Sequence, residues 1–256
     1  MNQDDQAGQA CFRRSSDEAA RLGHPSYVWR AGQERRLALV RQWARLDQAR
    51  ILDAGCGVGM YTEHFRAFSP SVYGVEIDLA VGSQAAAAIP GIALAPAEAL
   101  PFADGSFDIV FSHEVIEHVT DDRAAAAEMA RVLAPGGRIV LFAPNRLYPF
   151  ETHGHYWRGR YHFGNTPLIN WLPNPLRNRL APHVRAYTGP GLRGLFDGYR
   201  LRVIHHSVVY PGFDNVVARR PALGRVFRRV LYMLEHTPLQ VFGLSHFLVL
   251  EKSVLE

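Results

Sequence analysis

The sequence predicts an α/β fold built on a seven-stranded, mostly parallel sheet with helices on both faces. Short β-branched runs alternate with longer stretches suited to helices between residues 51 and 144. Two later apolar runs provide two closing strands. The chain has 256 residues, 48% of them hydrophobic, which is enough to bury one large core and few for two ordinary domains.

The expected elements follow one another along the chain. Strands are predicted at residues 49–55, 71–77, 91–95, 107–112, 137–143, 201–210 and 245–252. Helices are predicted at residues 59–68, 79–88 and 121–133, and the last of these lies between an N-cap at residues 120–122 and the Pro-Gly-Gly at 135–137. Ligands of such sheets bind at the carboxyl ends of the strands.

The segments outside these alternating strands and helices complete the predicted division of the chain into five parts. Residues 1–23 are expected to be a mobile polar tail, and residues 24–48 an arginine-rich N-terminal lid helix. The α/β core at 49–144 is expected to bind a cofactor. Residues 145–200, rich in Pro, Gly, His and aromatic residues, are predicted to be a substrate cap inserted between strands five and six. Residues 201–256 hold the closing strands and a basic amphipathic helix.

Composition excludes several classes of protein. No apolar run reaches the ~18 residues that cross a bilayer, and the first residues lack the order of a secretory signal, so the chain is expected to be cytoplasmic. Cys11 and Cys56 provide neither a disulfide framework nor a CxxC metal site. Residues 51–144 carry four arginines against twelve acids, whereas residues 145–256 carry fifteen basic residues against six acids. An acidic centre favours a cationic or hydroxyl-rich ligand and basic flanks an anionic one, although solvated faces of opposite sign explain the asymmetry equally well.

The segment from Ile51 to Met60 is a strand that runs into a G-x-G-x-G turn and then a helix, as in a nucleotide-binding loop. Glu76 follows Gly55 by 21 residues, at the end of the second strand, where an acid can accept both hydroxyls of a ribose. A nicotinamide dinucleotide fold would share this acid but would have a glycine or alanine in place of Met60.

Four ordered motifs over residues 48–145 carry a family resemblance: LDAGCGVG, YGVEID, AEALPFADGSFDIVFSHEVIEHV and RVLAPGGRIVLFAPN. The chain resembles the class I, Rossmann-like S-adenosylmethionine-dependent methyltransferases, in the small-molecule branch that includes quinone-biosynthesis enzymes. The resemblance implies S-adenosylmethionine as the cofactor and implies its contacts: the methionine part with Asp53, Gly55, Gly57 and Gly59, the ribose with Glu76, the adenine with Ile77 and Ala97, and the sulfonium above Ser112 and His113. The family often has an Asp where Pro96 stands here, so Glu98 or a backbone carbonyl would bind the adenine amine.

Methyl transfer needs an in-line nucleophile, exclusion of water and, for some acceptors, a base. His118 is the first candidate base, because phosphoethanolamine methyltransferases have a catalytic histidine at a similar offset from the fourth strand. In those enzymes the histidine acts together with an N-terminal tyrosine, and the resemblance implies that role for Tyr27 here. A histidine that only caps or packs its helix is the alternative for His118, and His153 is the reserve base.

The cap carries further candidate residues. Tyr156 and Trp157 are predicted to line the acceptor site. His153, His155 and His162 with Glu151 offer a zinc or iron site as an alternative, but H-x-H on an irregular loop is a weak pattern, and no metal is predicted.

The sequence therefore predicts methyl transfer to an oxygen, less readily to a nitrogen or carbon, of a small or lipid-like acceptor. Residues 216–235 carry apolar residues on one helical face and arginines on another, which indicates peripheral membrane contact or an ordinary surface helix. The rival functions are a nucleic-acid methyltransferase, a catalytically silent cofactor-binding or scaffold protein, and NAD-dependent redox chemistry. No nucleic-acid partner is expected, because no N-P-P-Y type string or RNA-binding module is present.

Overall fold

A computed structural model describes residues 29–254, apart from the side chain of Asn215. The expected tail at 1–23 and Tyr27 lie outside the described residues. The described chain divides into two compact units. The core unit holds residues 29–148 and 186–254, and the cap unit holds residues 149–185.

The core unit contains all seven predicted strands. They are β1 Ile51–Ala54, β2 Val72–Glu76, β3 Ile92–Leu94, β4 Phe107–His113, β5 Leu133–Pro144, β10 Leu201–Val209 and β11 Ser245–Lys252. The sheet has the order β10-β11-β5-β4-β1-β2-β3. The strands from β3 to β5 pair in parallel, and β11 runs antiparallel to both of its neighbours. The predicted mostly parallel α/β sheet is therefore confirmed.

Seven α-helices of the described chain belong to the core unit. They are α1 Ala31–Trp43, α2 Met60–Phe65, α3 Leu79–Ala88, α4 Asp122–Val132, α6 Gly189–Gly194, α7 Asp214–Arg219 and α8 Pro221–Leu234. The Asp78 side chain caps α3 by accepting from the Val81 N–H at 2.9 Å. The Asp121 side chain caps α4 in the same way through the N–H groups of residues 123 and 124. Both helices begin where the sequence predicts them, because these acids satisfy the free donors of the first turn.

Alternation along the strands divides the apolar side chains between the two faces of the sheet. Ile51 belongs to a buried cluster that also holds Leu37 and Val40 of α1. Leu52, the next residue, belongs to a second cluster that holds Met129 of α4 and Leu192 of α6. The predicted lid helix thus packs on one sheet face, and Val40 is fully buried there.

The structure corrects two boundaries of the sequence prediction. β5 begins at Leu133, before the Pro-Gly-Gly that was expected to precede it. Gly137 permits this early pairing, because a Cβ there would lie 2.8 Å from the Asp108 carbonyl oxygen. The predicted helix at 216–235 is two helices, α7 and α8, since Pro221 begins a new helix after Arg220.

The cap unit is shorter than the predicted insertion at 145–200. It contains the short strands β6 Phe150–Glu151, β7 His155–Trp157, β8 Arg160–His162 and β9 Thr166–Pro167, and the helix α5 Asn174–Leu180. Residues 186–200 belong to the core unit instead, because Tyr187 bridges to Asn145 after β5 and Leu192 is buried in the core. None of the helices within residues 29–254 is both long and apolar enough to cross a membrane.

A chain of hydrogen bonds crosses β10 and β11 in the core unit. His246 Nε2 lies 2.9 Å from the Tyr187 carbonyl oxygen, and His206 Nε2 lies 3.1 Å from His246 Nδ1. Arg193 Nη1 lies 2.8 Å from His206 Nδ1. Because the carbonyl can only accept and the guanidinium can only donate, both imidazoles must be neutral for every bond to form. Burial, with His246 and Arg193 nearby, lowers the pKa of His206 from 6.5 to about 4.

We expect acid to destabilise the core unit through this chain. A histidine whose pKa is lowered in the folded protein stabilises it fully above the unfolded pKa of 6.5, and this contribution is lost as the pH falls towards 4. Discounted for partial exposure, His206 should account for a loss of about 1 kcal/mol between pH 7.5 and pH 5. His206→Gln keeps a donor and an acceptor but does not titrate, so urea unfolding should show a loss smaller by that amount. Equal losses in the two proteins would contradict the prediction, and His236→Gln, at an exposed histidine, is the control.

Candidate functional site

The glycine turn after β1 sits at the carboxyl edge of the sheet. Gly55, Gly57 and Gly59 have φ angles of 85°, 57° and 85°, in the left-handed region that favours glycine. A Cβ at residue 55 would overlap the Val115 side chain, and one at residue 59 would overlap Ile89. A Cβ at Gly57 would meet no atom within 4 Å. Gly57 therefore borders the open space where a ligand can approach the backbone.

Asp53 lies beneath this turn. Its side chain accepts a hydrogen bond from Thr62 Oγ1 at 2.7 Å, and the residue is 2% exposed. Burial raises the pKa of Asp53 to about 7, against the lowering effect of the Thr62 hydrogen bond. The structure thus assigns Asp53 to the support of the turn, and its contact with the methionine part of a cofactor stays a prediction.

The Glu76 carboxylate ties the end of β2 to the same turn. Oε2 accepts from the Gly57 N–H at 2.9 Å, and Oε1 accepts from the N–H groups of Ile77 and Asp78, each at 2.9 Å. A carboxylate oxygen can accept two hydrogen bonds, and among the described residues Oε2 accepts one. Glu76 is held in place and keeps acceptor capacity for a ligand hydroxyl.

Of the residues predicted to contact the adenine, Ile77 is exposed as a contact would require, whereas Glu98 is already hydrogen-bonded within the chain. Ile77 and Leu79 are 61% and 69% exposed, and such apolar side chains can pack on the face of an adenine. Ala97 is buried, and its backbone contact with the adenine edge stays a prediction. The Glu98 carboxylate accepts from the Thr120 N–H at 2.7 Å, before the N-terminus of α4. This bond gives Glu98 a structural role and disfavours its use on the adenine amine.

Two buried hydroxyls at or near the end of β4 have no hydrogen-bond partner among the described residues. Ser112 is fully buried, and its Oγ has no hydrogen-bond partner in the described chain. The same holds for the Tyr61 hydroxyl, whose ring lies 4.8 Å from that of His113. Because a buried hydroxyl without a partner costs free energy, these two groups point to a ligand or to bound water.

His113 is held neutral beside a guanidinium. Arg36 Nη1 contacts His113 Nε2, which must therefore accept, since a guanidinium only donates. Burial, with Arg36 as the second cause, lowers the pKa of His113 to about 3. The structure thus favours the neutral form of the His113 ring, and its place below the sulfonium of a cofactor stays a prediction.

Arg36 is a site residue that the sequence analysis missed. Its Nη1 also lies 3.3 Å from Glu114 Oε1, and its Nη2 donates to Ser245 Oγ at 3.0 Å. Of the arginines in this segment, the sequence offers Arg30 and Arg35 for the cofactor carboxylate or the substrate, with solvated arginines as the alternative. Position 36 precedes the buried Val40 by one helical turn, and that spacing is the sequence signal that points to Arg36. Arg35 pairs instead with Glu235, just after α8.

His118 and Glu117 follow β4 by a short turn. Glu117 is 1% exposed, and neither of its carboxylate oxygens has a hydrogen-bond partner in the described chain. Burial, with the Glu114 charge as the next cause, raises the pKa of Glu117 well above its usual value. His118 Nε2 lies 3.9 Å from Glu117 Oε1. The candidate base therefore has as its neighbour a carboxyl group whose surroundings favour the neutral form.

The cap unit uses its polar residues to hold itself together. Glu151 and Arg177, each 2% exposed, form an ion pair at 2.9 Å, and the Glu151 side chain also accepts from the His153 N–H. His153 Nδ1 lies 3.2 Å from Glu151 Oε1, so the reserve base is tied to the carboxylate that the ion pair occupies.

The remaining candidates of the cap unit lie on the β7–β8 hairpin. Tyr156 pairs with Tyr161, and Trp157 is 56% exposed. The His155 ring lies 5.3 Å from that of His162, its partner across the hairpin. The contribution of Tyr156 and Trp157 to an acceptor site stays a prediction.

Residues 52–141 match a family model described as a methyltransferase domain. This segment is a methyltransferase domain. It runs from β1 to β5 and so contains the glycine turn, Glu76 and the end of β4. The chain therefore carries an S-adenosylmethionine-dependent methyltransferase domain, as the four sequence motifs predict.

Several curated relatives are methyltransferases named for oxygen acceptors. The chain is 34% identical over 120 residues to a malonyl-[acyl-carrier protein] O-methyltransferase of Erwinia billingiae, covering 45% of this chain and 48% of that one. The protein of the same name from Yersinia pestis is 32% identical over 164 residues, covering 62% and 57%. A probable tocopherol O-methyltransferase of rice is 35% identical over 100 residues, covering 36% and 28%. The chain thus spans about half the length of the first two relatives.

Solved structures share the fold at low sequence identity. A methyltransferase from Mesorhizobium loti superposes with a TM-score of 0.59 at 20% identity, covering 84% of this chain and 96% of that one. The [4+2]-cyclase SpnF superposes with a TM-score of 0.60 at 16% identity, covering 91% and 87%. These likenesses establish the fold alone, since a fold can host different reactions.

We expect Glu76→Gln to weaken binding of S-adenosylmethionine by about 10- to 100-fold, because hydrogen bonds to a charged group contribute roughly 1.5–3 kcal/mol. The amide oxygen can accept on one side only, but the lost bond lies at the sheet edge and not in the core, so the fold should survive. Calorimetric titration measures the change, and Glu63→Gln, at an exposed acid of α2, controls for the lost charge. Equal affinity in the folded Glu76 variant would mean that the ribose is held elsewhere.

Tyr61→Phe should stabilise the free protein and weaken the liganded one. Removing a buried hydroxyl that lacks a partner should raise the free energy of unfolding by about 1 kcal/mol. If the hydroxyl bonds to the cofactor, the added stability that saturating S-adenosylmethionine confers should fall. Thermal unfolding with and without the cofactor measures both effects, and a destabilised free protein would show that the hydroxyl is already satisfied.

Proposed function

We propose that the chain transfers the methyl group of S-adenosylmethionine to an oxygen of a small or lipid-like acceptor. The observation that carries this proposal is the set of unused polar groups at one sheet edge. The glycine turn is open at Gly57, Glu76 Oε2 retains acceptor capacity, and the hydroxyls of Tyr61 and Ser112 lack partners among the described residues. The chemistry of this set fits a ligand with hydroxyl groups and a charged end.

The residues present divide the binding of such a cofactor among them. Glu76 would accept from the ribose hydroxyls, and Ile77 would pack on the adenine. The Arg36 guanidinium, beside His113, would attract the cofactor carboxylate. When bound, S-adenosylmethionine supplies an electrophilic methyl group, and the chain's own part is to orient the acceptor oxygen in line and exclude water.

An oxygen acceptor is proposed because the relatives named above are O-methyltransferases. Their names include malonyl-[acyl-carrier protein], which has a free carboxyl group, and a tocopherol, which has a phenolic hydroxyl. A carboxyl oxygen is ionised near pH 7 and needs no base, whereas a phenolic or alcoholic hydroxyl must lose a proton. The need for a base therefore distinguishes the two acceptor classes.

Rival functions make different predictions about turnover. A silent cofactor-binding protein would bind S-adenosylmethionine without transfer, and the cyclase on the same fold shows that the fold alone does not decide the reaction. A nucleic-acid acceptor stays disfavoured by the sequence. NAD-dependent chemistry stays disfavoured by Met60, and the match to a methyltransferase domain argues against it as well. A cytoplasmic location stays a prediction.

The decisive experiment incubates the full chain with methyl-labelled S-adenosylmethionine and a panel of fatty acids, acyl thioesters of dicarboxylic acids, phenols and quinols. Label in an ester or ether product supports the proposal. Binding of the cofactor with no label in any product of the panel or of a host extract would favour a silent protein. Label in added RNA or DNA would overturn the choice of acceptor.

The His118→Ala variant should distinguish the acceptor classes. If the labelled product is an ether, the variant should lose about 10²- to 10⁴-fold in kcat, because a positioned base contributes that much. If the product is a carboxyl ester, kcat should change little. Cofactor affinity should stay the same in either case, and His153→Ala provides the comparison. An ether product with both variants fully active would mean that no protein base acts.

A further inference from the structure

Helix α8 packs on the rest of the core unit through the side that carries Gly224, Arg228 and Tyr232. Gly224 is buried against α7, where a Cβ would lie 2.6 Å from the Val217 Cα. The Arg35 guanidinium lies 3.9 Å from the centre of the Tyr232 ring. Arg228 pairs with Asp214 of α7 at 3.5 Å. These contacts fix the rotation of the helix about its axis.

The opposite face of α8 is apolar and exposed. Leu223, Val226, Phe227, Val230 and Met233 are 58%, 62%, 44%, 51% and 63% exposed. Their spacing of three and four residues places them on one side of the helix, which we name the apolar stripe. The sequence left open an ordinary surface helix packed on its own sheet, yet most of the predicted apolar face is turned outward. Such a contiguous apolar surface is typical of an interaction site.

Arginines border the apolar stripe. Arg225 and Arg229 are exposed on α8, and Arg219 and Arg220 are exposed just before it. Among the described residues of this segment, both acids are engaged in ion pairs, Asp214 with Arg228 and Glu235 with Arg35. The surface beside the stripe is therefore positive and has no free carboxylate of its own.

A shallow groove follows the same arginines. It has a volume of about 620 Å³, and its lining residues are Arg225, Val226, Arg228, Arg229, Tyr232, Met233 and His236. The groove brings three guanidinium groups beside two side chains of the apolar stripe. Phosphate groups above an apolar layer match this arrangement, because guanidinium groups bind phosphate oxygens and apolar side chains enter the acyl boundary.

We propose that α8 docks the protein on the surface of an anionic lipid bilayer, with the apolar stripe inserted at the acyl boundary and the bordering arginines among the headgroup phosphates. Charge complementarity favours this occupant over a second copy of the chain, since the bordering surface is positive and would repel itself. The proposal does not rest on methyl transfer, because it concerns a surface apart from the glycine turn and Glu76.

The experiment measures flotation of the full chain with vesicles of phosphatidylcholine alone or mixed equally with phosphatidylglycerol. We expect binding to the mixed vesicles and little to the neutral ones. Raising NaCl from 0.1 to 0.5 M should weaken binding, because salt screens the attraction between arginines and phosphates.

Two double variants test the two parts of the surface. Arg225→Ser with Arg229→Ser should lower the partition coefficient about 30-fold, since each arginine near an anionic surface contributes about fivefold. Val226→Glu with Val230→Glu should lower it at least as much, by removing apolar side chains and adding negative charge. All four residues are exposed, so the thermal unfolding midpoint should not change.

Matched controls carry the same changes elsewhere. Arg45→Ser with Arg123→Ser removes two exposed arginines, and Val254→Glu alters a valine that is 69% exposed. Both controls should bind the mixed vesicles nearly as the parent does. Equal loss in the controls, or no binding by the parent, would overturn the proposal. The proposal would also be overturned if the apolar-stripe variants abolished dimer formation, or capture of an acidic protein, and left vesicle binding unchanged.

Discussion

The site depends on how closely the turn after β1 approaches its neighbours. Val115, just after β4, packs where a side chain at residue 55 would be, and Ile89, after α3, packs where one at residue 59 would be. These contacts hold the ends of three structural elements against one turn. Any side chain at either position would separate them, because close-packed interiors have no room for an added methyl group. Gly57 lies between these two packed glycines, and its own Cβ position is open.

Electrostatics within the site follow from the same packing. Asp53, Glu117 and His113 are all driven towards their neutral forms, chiefly by burial, whereas Glu76 is held by three backbone N–H groups at the sheet edge. The charged groups that the structure fixes at this edge are Glu76, held by the backbone N–H groups of the turn, and the Arg36–Glu114 ion pair beside His113. A floor of Ser112 and His113 below the sulfonium of a cofactor stays a prediction. Such an arrangement suits catalysis by orientation more than by strong general bases.

The fold was predictable from local patterns, whereas part of the site was not. All seven strands were predicted because β-branched runs and glycine turns act within a few residues. The early start of β5 was missed, since it depends on Gly137 lying against Asp108 of another strand. Arg36 was missed because its partner His113 lies 77 residues further along the chain, and the spacing of Arg36 to the buried Val40 shows only that it faces the sheet. Which residues pair across the sheet depends on the tertiary structure and cannot be predicted from sequence spacing alone.

The orientation of α8 shows the same limit at the surface. Periodicity identified an apolar face, and a globular chain usually buries such a face. Polar contacts reverse this orientation here. The contacts of Arg35 with Tyr232 and Glu235, and of Arg228 with Asp214, hold the side of the helix that carries Tyr232 and Arg228 inward. Because each of these contacts joins α8 to another helix, no window of sequence contains both partners of most of them. The apolar face, which an ordinary surface helix would pack on its own sheet, is therefore available to bind something outside the protein.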